Sequence, residues 1–230
     1  MKLYAQFPIL ADAPLLRDLT PDQQELLLSK CVVRIANKAT PLLAQGERPD
    51  GVYLVVEGTI EISYVSPEGH KIIIAHDGPT RTLGAIEAVA NRACAATCTA
   101  FEGTTVLYWS ISDFVAELQD ATFLRNFADL SYTMLQHDNA SKAVDQFFTA
   151  EQRICRYLGR LAGENRMFQQ SQSYLANAVG CTRQTVNKEL SLLKDRGVIN
   201  IAKGRVEILD HAGLERRIED LDMRRSNCAN

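Results

Sequence analysis

The sequence predicts an α+β protein built from an N-terminal antiparallel β-sandwich or barrel, a long helix, and a C-terminal group of short helices with a β-hairpin. Short β-rich runs separated by glycines fill residues 31–110, a texture typical of antiparallel sandwiches and barrels. An unbroken heptad pattern of apolar residues follows. Shorter helical patterns then lead to a hairpin pattern. We expect three parts, over residues 1–119, 120–148 and 149–230.

The balance of charged residues differs between the two ends of the chain. The 230 residues carry a net charge of −3, yet the segment from Thr149 onward holds 14 Lys and Arg against 10 Asp and Glu. This asymmetry predicts that only the C-terminal part meets a polyanion. The start, MKLYAQFPILADAP, lacks a signal-peptide core, and no apolar run approaches the roughly 18 residues that span a bilayer. We therefore expect a cytoplasmic protein with no membrane contact and reduced cysteines.

The first elements have local signatures. A helix is predicted to begin after Thr20, with Pro21 at its first position and Gln23 completing a capping box, and to end near Lys30. The β-rich runs lie at 52–56, 59–65, 71–75 and 104–109. SPEG at 66–69 separates two of these runs and predicts a hairpin turn.

Residues 121–148 carry apolar side chains at alternating spacings of four and three, with no Gly or Pro among them. The pattern predicts the seam of a parallel dimeric coiled coil, because a helix this long buries its stripe best against a second copy. The seam residues are Phe123, Phe127, Leu130, Met134, His137, Ser141, Val144 and Phe148. His137 and Ser141 are polar within it. His137 is predicted to fix register and oligomer state, the alternative being a pH- or ligand-responsive role.

The C-terminal pattern is helix, glycine turn, helix and hairpin, which is the order of a winged helix-turn-helix. SYLANAV is predicted to be capped by Ser171 or Ser173, and the turn lies at Gly180. Thr182 is predicted to cap the second helix, which ends at Gly197. VINIA (198–202) and VEIL (206–209) then form the hairpin, or wing.

The second helix has a free polar face, since Val186 and Leu190 are predicted to pin its other side to the core. Arginine can hold guanine O6 and N7 with two hydrogen bonds, and glutamine can do the same for adenine N6 and N7. Hydroxyls, helix N-terminal N–H groups and wing cations suit phosphate. The candidate DNA-binding residues are Thr182, Arg183, Gln184, Asn187, Lys188, Ser173, Thr185, Lys203 and Arg205. The alternative is an ordinary helix pair with a solvated charged face; the turn, the wing and the positive balance favour double-stranded DNA.

Two stretches carry a family resemblance. VGCTRQTVNKELSLLKDRGVI resembles the DNA-reading segment of the CRP/FNR family of bacterial transcription regulators. GERPDGVYLVVEGTIEISYVSPEGHKIII resembles that family's cyclic-nucleotide-binding-like β-roll, an antiparallel jelly roll, which the resemblance implies for the N-terminal part. The resemblance covers nearly the whole chain. It implies a homodimer that reads a two-fold-symmetric operator through a recognition helix at 182–196, under control of the β-roll, and that contacts RNA polymerase.

The resemblance also assigns roles. Arg183 matches the guanine-contacting arginine, Thr182 the phosphate-contacting hydroxyl, and Lys188 a second base- or phosphate-contacting position. Gln184 stands where many members have glutamate, so the base preference at one operator position is expected to differ.

The sensing site departs from the family. Members that bind cyclic nucleotides hold the ribose with a Gly-Glu pair and the phosphate with an Arg-Ser or Arg-Thr pair. Here Gly84 is present, but Ala85 replaces the glutamate, and Cys94 and Ala95 replace the phosphate pair. A cyclic nucleotide is therefore disfavoured as effector, because its phosphate would lack a charged partner. Glu87 and Arg92 can substitute only if the loop is shifted. The full candidate pocket is Gly84, Ala85, Ile86, Arg92, Cys94, Ala95, Asp138 and Asn139.

Some alternatives stay open. Asp138 and Asn139 fall where cAMP-binding members face the adenine, although they equally suit a solvated helix. Cys94 and Cys98, if both on one strand face, are either small core residues or thiol sensors, and haem ligation by His70 and His76 is the weakest option. The chain shows no metal-site spacing, P-loop or Ser-His-Asp order, so we do not expect an enzyme. The alternative function is a sensory module that acts through protein contacts with a vestigial helix-turn-helix.

Overall fold

The computed structural model describes residues 3–162, 167–168, 171–202 and 205–228. The described α-helices are α1 (Leu3–Gln6), α2 (Pro21–Ser29), α3 (Ala85–Ala90), α4 (Ile111–Glu117), α5 (Ala121–Phe147), α6 (Ala150–Ala162), α7 (Gln172–Val179), α8 (Arg183–Asp195) and α9 (His211–Cys228). The described strands are β1 (Val32–Ile35), β2 (Thr40–Leu43), β3 (Val52–Glu57), β4 (Ile60–Val65), β5 (Lys71–Asp77), β6 (Thr82–Leu83), β7 (Thr97–Ala100), β8 (Thr105–Trp109), β9 (Met167–Phe168), β10 (Ile199–Ala202) and β11 (Arg205–Ile208).

The chain divides into two compact units, residues 1–138 and 139–230. The boundary falls inside α5, whereas the sequence predicts a separate dimerisation segment over residues 120–148. In the described ranges no helix is both long and apolar enough to cross a membrane.

The first unit is an antiparallel β-roll, as predicted. Its two four-stranded sheets have the orders β1-β8-β3-β6 and β2-β7-β4-β5. The four β-rich runs form β3, β4, β5 and β8, and the turn at 66–69 joins β4 to β5. Periodicity did not single out β1, β2, β6 and β7, because these strands have at most four residues and β2 contains Pro41.

The core of the first unit extends into the long helix. The Trp109 indole N–H donates to the Leu27 carbonyl at 3.2 Å, and the Phe114 ring contacts the Trp109 ring at 6.1 Å and the Phe123 ring at 5.5 Å. Asp120 caps α5 by accepting from the backbone N–H groups of Thr122 and Phe123, both at 2.9 Å. The first turns of α5 are therefore part of the roll.

This packing corrects the predicted seam. Phe123 is only 1% exposed within its own chain, and the Phe127 ring lies 6.2 Å from that of Phe114. The N-terminal seam residues thus face their own β-roll, since the roll's apolar face is the nearest surface available to them. Leu130 is also nearly buried, and Met134 is half-buried.

The second unit is the predicted winged helix-turn-helix. α6 begins at a capping box in which Thr149 and Gln152 exchange backbone-to-side-chain hydrogen bonds. Its core includes Ile154, Leu158 and Leu175. The wing strands β10 and β11 pair as predicted, and the two-residue β9 adds a third strand beside β11 that sequence pattern missed.

Candidate functional site

Backbone and side-chain hydrogen bonds hold the turn between α7 and α8. The Ser171 hydroxyl caps α7 by accepting from the Tyr174 N–H at 3.1 Å. α7 ends at Gly180, whose φ of +62° lies in the left-handed region that favours glycine. The Cys181 N–H donates to the Ala176 carbonyl at 3.0 Å, and Arg153 donates to the Gly180 carbonyl at 3.2 Å. These bonds set the direction in which α8 leaves the turn.

Thr182 begins α8 as predicted. Its hydroxyl accepts from the Thr185 N–H at 3.2 Å, and the two hydroxyl oxygens lie 3.0 Å apart. Both hydroxyls therefore stabilise the helix N-terminus, in addition to the phosphate contact predicted for each.

The two faces of α8 differ sharply. Val186, Leu190 and Leu193 are fully buried and fix one face against the core. The opposite face, here called the reading face, comprises the exposed side chains of Arg183, Gln184, Asn187 and Lys188. In the described part of the chain, none of these four makes a hydrogen bond or ion pair through its side chain. Among the described residues, two cations and two amides are thus presented together without a side-chain partner.

The remaining predicted DNA contacts lie outside that face and are described only in part. Ser173 is exposed near the start of α7, and Thr185 is half-buried. Arg205 is exposed at the first position of β11, and Lys203 lies outside the described residues.

The predicted effector segment comprises α3 and the α3–β7 loop (residues 91–96). Gly84 precedes α3 with a φ of +76°, and a Cβ there would lie 2.9 Å from the Gly51 carbonyl oxygen, so only glycine fits. Ala85 is buried beside it. The Cys94 backbone is hydrogen-bonded to the segment that follows β2. Its carbonyl accepts from the Gly46 N–H at 2.9 Å, and its N–H donates to the Glu47 carbonyl at 2.8 Å. Ile86, Arg92 and Ala95 are exposed.

A carboxylate lies at this loop. Glu87 Oε1 lies 3.5 Å from the Ala95 amide nitrogen, a separation at which the contact is electrostatic more than a full hydrogen bond. Arg92 is exposed at the loop surface. Arg48, which sequence reasoning missed, donates to the Asn91 side-chain oxygen. The Glu87 carboxylate of α3 therefore lies beside the residue that replaces the phosphate-binding hydroxyl, while the loop itself carries the Arg92 cation.

The two cysteines do not share a strand, which corrects that prediction. Cys98 is on β7, whereas Cys94 lies in the loop before it, and both are buried in one apolar cluster with Leu43 and Ile62. Burial, reinforced by the Glu87 carboxylate, raises the pKa of the Cys98 thiol to about 12. Burial also raises the pKa of Cys94. Both thiols are thus protonated at neutral pH.

The histidines considered for haem are separate from these cysteines. His70 is exposed at the β4–β5 turn, and the His76 ring lies 6.0 Å from the Phe101 ring. Within the described ranges no three His, Cys, Asp or Glu side chains converge as a metal site would require.

The second half of the seam is described only in part. The side chains of His137, Asp138, Ser141 and Val144 lie outside the described residues. Asn139 is exposed. Farther along, the Arg156 guanidinium stacks over the Phe148 ring at 4.2 Å.

α5 has a second apolar row that the sequence reasoning missed. Leu124, Tyr132 and Leu135 are 49%, 58% and 62% exposed, and Ala128 between them is exposed as well. Their spacings of 4, 4 and 3 residues are themselves a helical stripe, adjacent to the predicted seam. This exposed row (residues 124, 128, 132 and 135) leaves an apolar face of the helix uncovered by its own chain.

In a comparison with protein families, one domain model matches within each unit. A cyclic nucleotide-binding domain model matches residues 33–121, and a Crp-like helix-turn-helix domain model matches residues 152–217.

Relatives of known function match along most of the chain. It is 27% identical over 206 residues to the cyclic AMP receptor protein of Thermus thermophilus, an alignment that covers 88% of this chain and 95% of the relative. It is 26% identical over 193 residues to the CRP-like cAMP-activated global transcriptional regulator of Mycobacterium tuberculosis, covering 76% and 83%. The solved structure of a CRP/FNR-family transcriptional regulator from Thermus thermophilus has the same fold, with a TM-score of 0.68, 20% identity and coverages of 83% and 99%.

Proposed function

The chain belongs to the CRP/FNR family of bacterial transcription regulators, and from that premise we propose how it reads DNA and what controls it. It is a DNA-binding transcription regulator, and its family is one of regulators rather than enzymes. We propose that the reading face of α8 enters the major groove and that the β-roll controls when it does so.

One observation carries the reading proposal. Arg183 and Lys188 are exposed on the face of α8 that turns away from the core, and within the described contacts neither has an anionic partner. An arginine that must first break an ion pair loses part of the energy of a base contact. Here the guanidinium is free to make two hydrogen bonds to guanine, while Gln184 and Asn187 present amides of the kind that bind adenine. Lys188, Arg205 and Lys203 supply charge for the phosphates.

The test starts from a duplex that the full-length protein enriches from a random-sequence library. Arg183→Ala is expected to weaken discrimination between this duplex and a scrambled one by about 1–3 kcal/mol, because one bidentate base contact is lost. Lys194→Ala, at the exposed C-terminal end of the same helix, is the matched control and should leave the discrimination unchanged. Equal discrimination by Arg183→Ala and the unmodified protein, measured by gel shift at fixed salt, would show that α8 reads DNA in another way.

We propose a homodimer in which a second copy covers the exposed row of α5. Leucines and a tyrosine exposed in one stripe are unfavourable in water, and a copy of the same helix presents the complementary stripe. Two reading faces then match a two-fold-symmetric operator with half-sites about 34 Å apart. Contact with RNA polymerase and a cytoplasmic location complete the proposal.

We propose that a cyclic nucleotide is not the effector, although two relatives are named for cAMP. Ala85 offers no carboxylate to a ribose, and Cys94 and Ala95 offer no cation to a phosphate. The Glu87 carboxylate, 3.5 Å from the Ala95 amide, would repel an anion placed at that amide.

A further inference from the structure

A buried charged pair connects the recognition helix to the last helix. Glu189 of α8 is 3% exposed and Arg217 of α9 is 6% exposed. The Arg217 Nε and Nη2 atoms donate to Glu189 Oε1 and Oε2 respectively, each at 2.8 Å. This parallel, two-bond arrangement restricts the relative orientation of the two side chains more than a single hydrogen bond does.

A third element contacts the same carboxylate. The buried thiol of Cys155, on α6, donates to Glu189 Oε1 with a sulfur-to-oxygen distance of 3.5 Å. Burial raises the pKa of this thiol, so it stays protonated and available as a donor. Glu189 is thereby connected to both α6 and α9.

Stability alone does not account for the pair. Two well-packed apolar residues at such a site are often as stabilising as the ions, or more so, because burying each charge costs several kcal/mol of hydration. The positions around Glu189, namely Val186, Leu190 and Leu193, already hold α8 by apolar contact. Apolar contacts permit small sliding and rotation, whereas a two-bond pair fixes both angle and position.

We propose that Glu189 and Arg217 are positioning residues for sequence reading: their pair sets the rotation and axial position of α8, and hence where Arg183 meets the base edges. The inference rests on the proposed function, in which the reading face enters the major groove. Glu189 follows Arg183 by six residues on one continuous helix, so a rotation at the pair moves the reading face by the same angle.

The experiment separates positioning from stability by comparing two variants of the full-length protein. Arg217→Met leaves an unpaired buried carboxylate, and its thermal unfolding temperature is expected to fall by about 10 °C or more. The double variant Glu189→Leu/Arg217→Met removes both charges and should recover most of that loss. Arg216→Met is the matched control, because Arg216 is the adjacent residue and its 3.0 Å pair with Asp210 is exposed.

DNA reading is measured on the library-selected duplex and its scrambled counterpart. The double variant is expected to lose about tenfold in discrimination despite its recovered stability, an effect similar to that of a mismatched base pair. Arg216→Met should lose neither stability nor discrimination.

Two results would overturn the inference, and two others would overturn the proposed function on which it rests. A double variant with unmodified discrimination shows that apolar packing positions α8 alone. A double variant no more stable than Arg217→Met shows that the pair serves stability. If the unmodified protein enriches no duplex, or if Arg183→Ala discriminates normally, the proposed function itself fails. Because the Arg183 and double variants are separate, the two failures are distinguishable.

Discussion

The reading face of α8 and the α3–β7 loop of the β-roll differ in the charged groups that they present. On the reading face, Arg183 and Lys188 are exposed and unpaired in the described part of the chain. At the loop, the Glu87 carboxylate lies beside the Ala95 amide. The backbone of Cys94 is hydrogen-bonded to the backbone of Gly46 and Glu47. The reading face therefore has free cations for the DNA contact that we propose, whereas Cys94 and Ala95 offer no cation to a small anion at their positions in the loop.

A second contrast runs along α5, where two adjacent apolar stripes have different partners. Phe123 is covered by the chain's own core, whereas Leu135 is 62% exposed. A shift of one residue turns a helical position by about 100°, so neighbouring stripes face different surfaces.

The largest expected effect is on stability, from the stripe of α5 that packs against the β-roll. Phe123→Ala removes a ring packed against Phe114, and should destabilise the first unit by about 3–5 kcal/mol. Trp109, the single tryptophan of the chain, is buried in the same cluster, so its fluorescence during urea unfolding reports on this unit alone. Arg125→Ala on the same helix, in an exposed pair with Asp18, is the control and should change stability by less than about 0.5 kcal/mol.

If Phe123→Ala instead left the urea midpoint unchanged and altered only the oligomeric state, the original seam would be right at this position. The stripe of α5 that meets the roll would then be the other one.

The next effect concerns the exposed row. Leu135→Glu introduces charge into an apolar surface that we propose a second copy covers, and should weaken self-association by about 2 kcal/mol or more. Sedimentation equilibrium measures it directly. Thr133→Glu adds the same charge at an exposed position two residues away, on the other side of the helix, and should leave association unchanged. Loss of association in both variants, or in neither, would exclude the row as the dimer surface.

Much of the second unit was predictable because its signals are local. Thr182 caps α8 and Gly180 makes the turn, and each acts on backbone within four residues of itself. The reading face follows directly from the helical period once Val186 and Leu190 are taken as buried. The capping box at Thr20 and the turn at 66–69 were predictable for the same reason.

The features that the sequence did not predict depend on contacts between residues far apart in the chain. Phe123 meets Phe114 and the rest of the core through chain folding that no heptad count contains. Cys94 leaves the strand pattern because its backbone pairs with residues 46 and 47, almost fifty positions earlier. The pairing of Glu189 with Arg217 spans 28 residues, and a glutamate on the apolar side of an amphipathic helix is the one sequence signal that could have revealed it.

The third prediction tests the loop. Cyclic AMP in excess should raise the unfolding temperature of the full-length protein by less than about 2 °C, because weak binding adds only a few tenths of a kcal/mol. Cyclic GMP serves as a second probe. The Glu87→Gln variant keeps the shape of the side chain without its charge, and is expected to respond no more strongly, since no cation replaces it. A rise of several degrees with the unmodified protein would mean that the β-roll binds a cyclic nucleotide through groups other than the family's.

The smallest expected effect is at Cys98, whose reactivity decides whether the roll can sense oxidants through this thiol. A pKa raised to about 12 means that the thiolate is scarce at every physiological pH and grows only as pH rises toward that value. Iodoacetamide at pH 8, followed by mass spectrometry, should leave Cys98 and the buried Cys155 unlabelled in the native protein and label both in urea. Labelling of native Cys98 at the rate seen in urea would show that the cluster around it opens to solvent, and thiol sensing would return as the role of the β-roll.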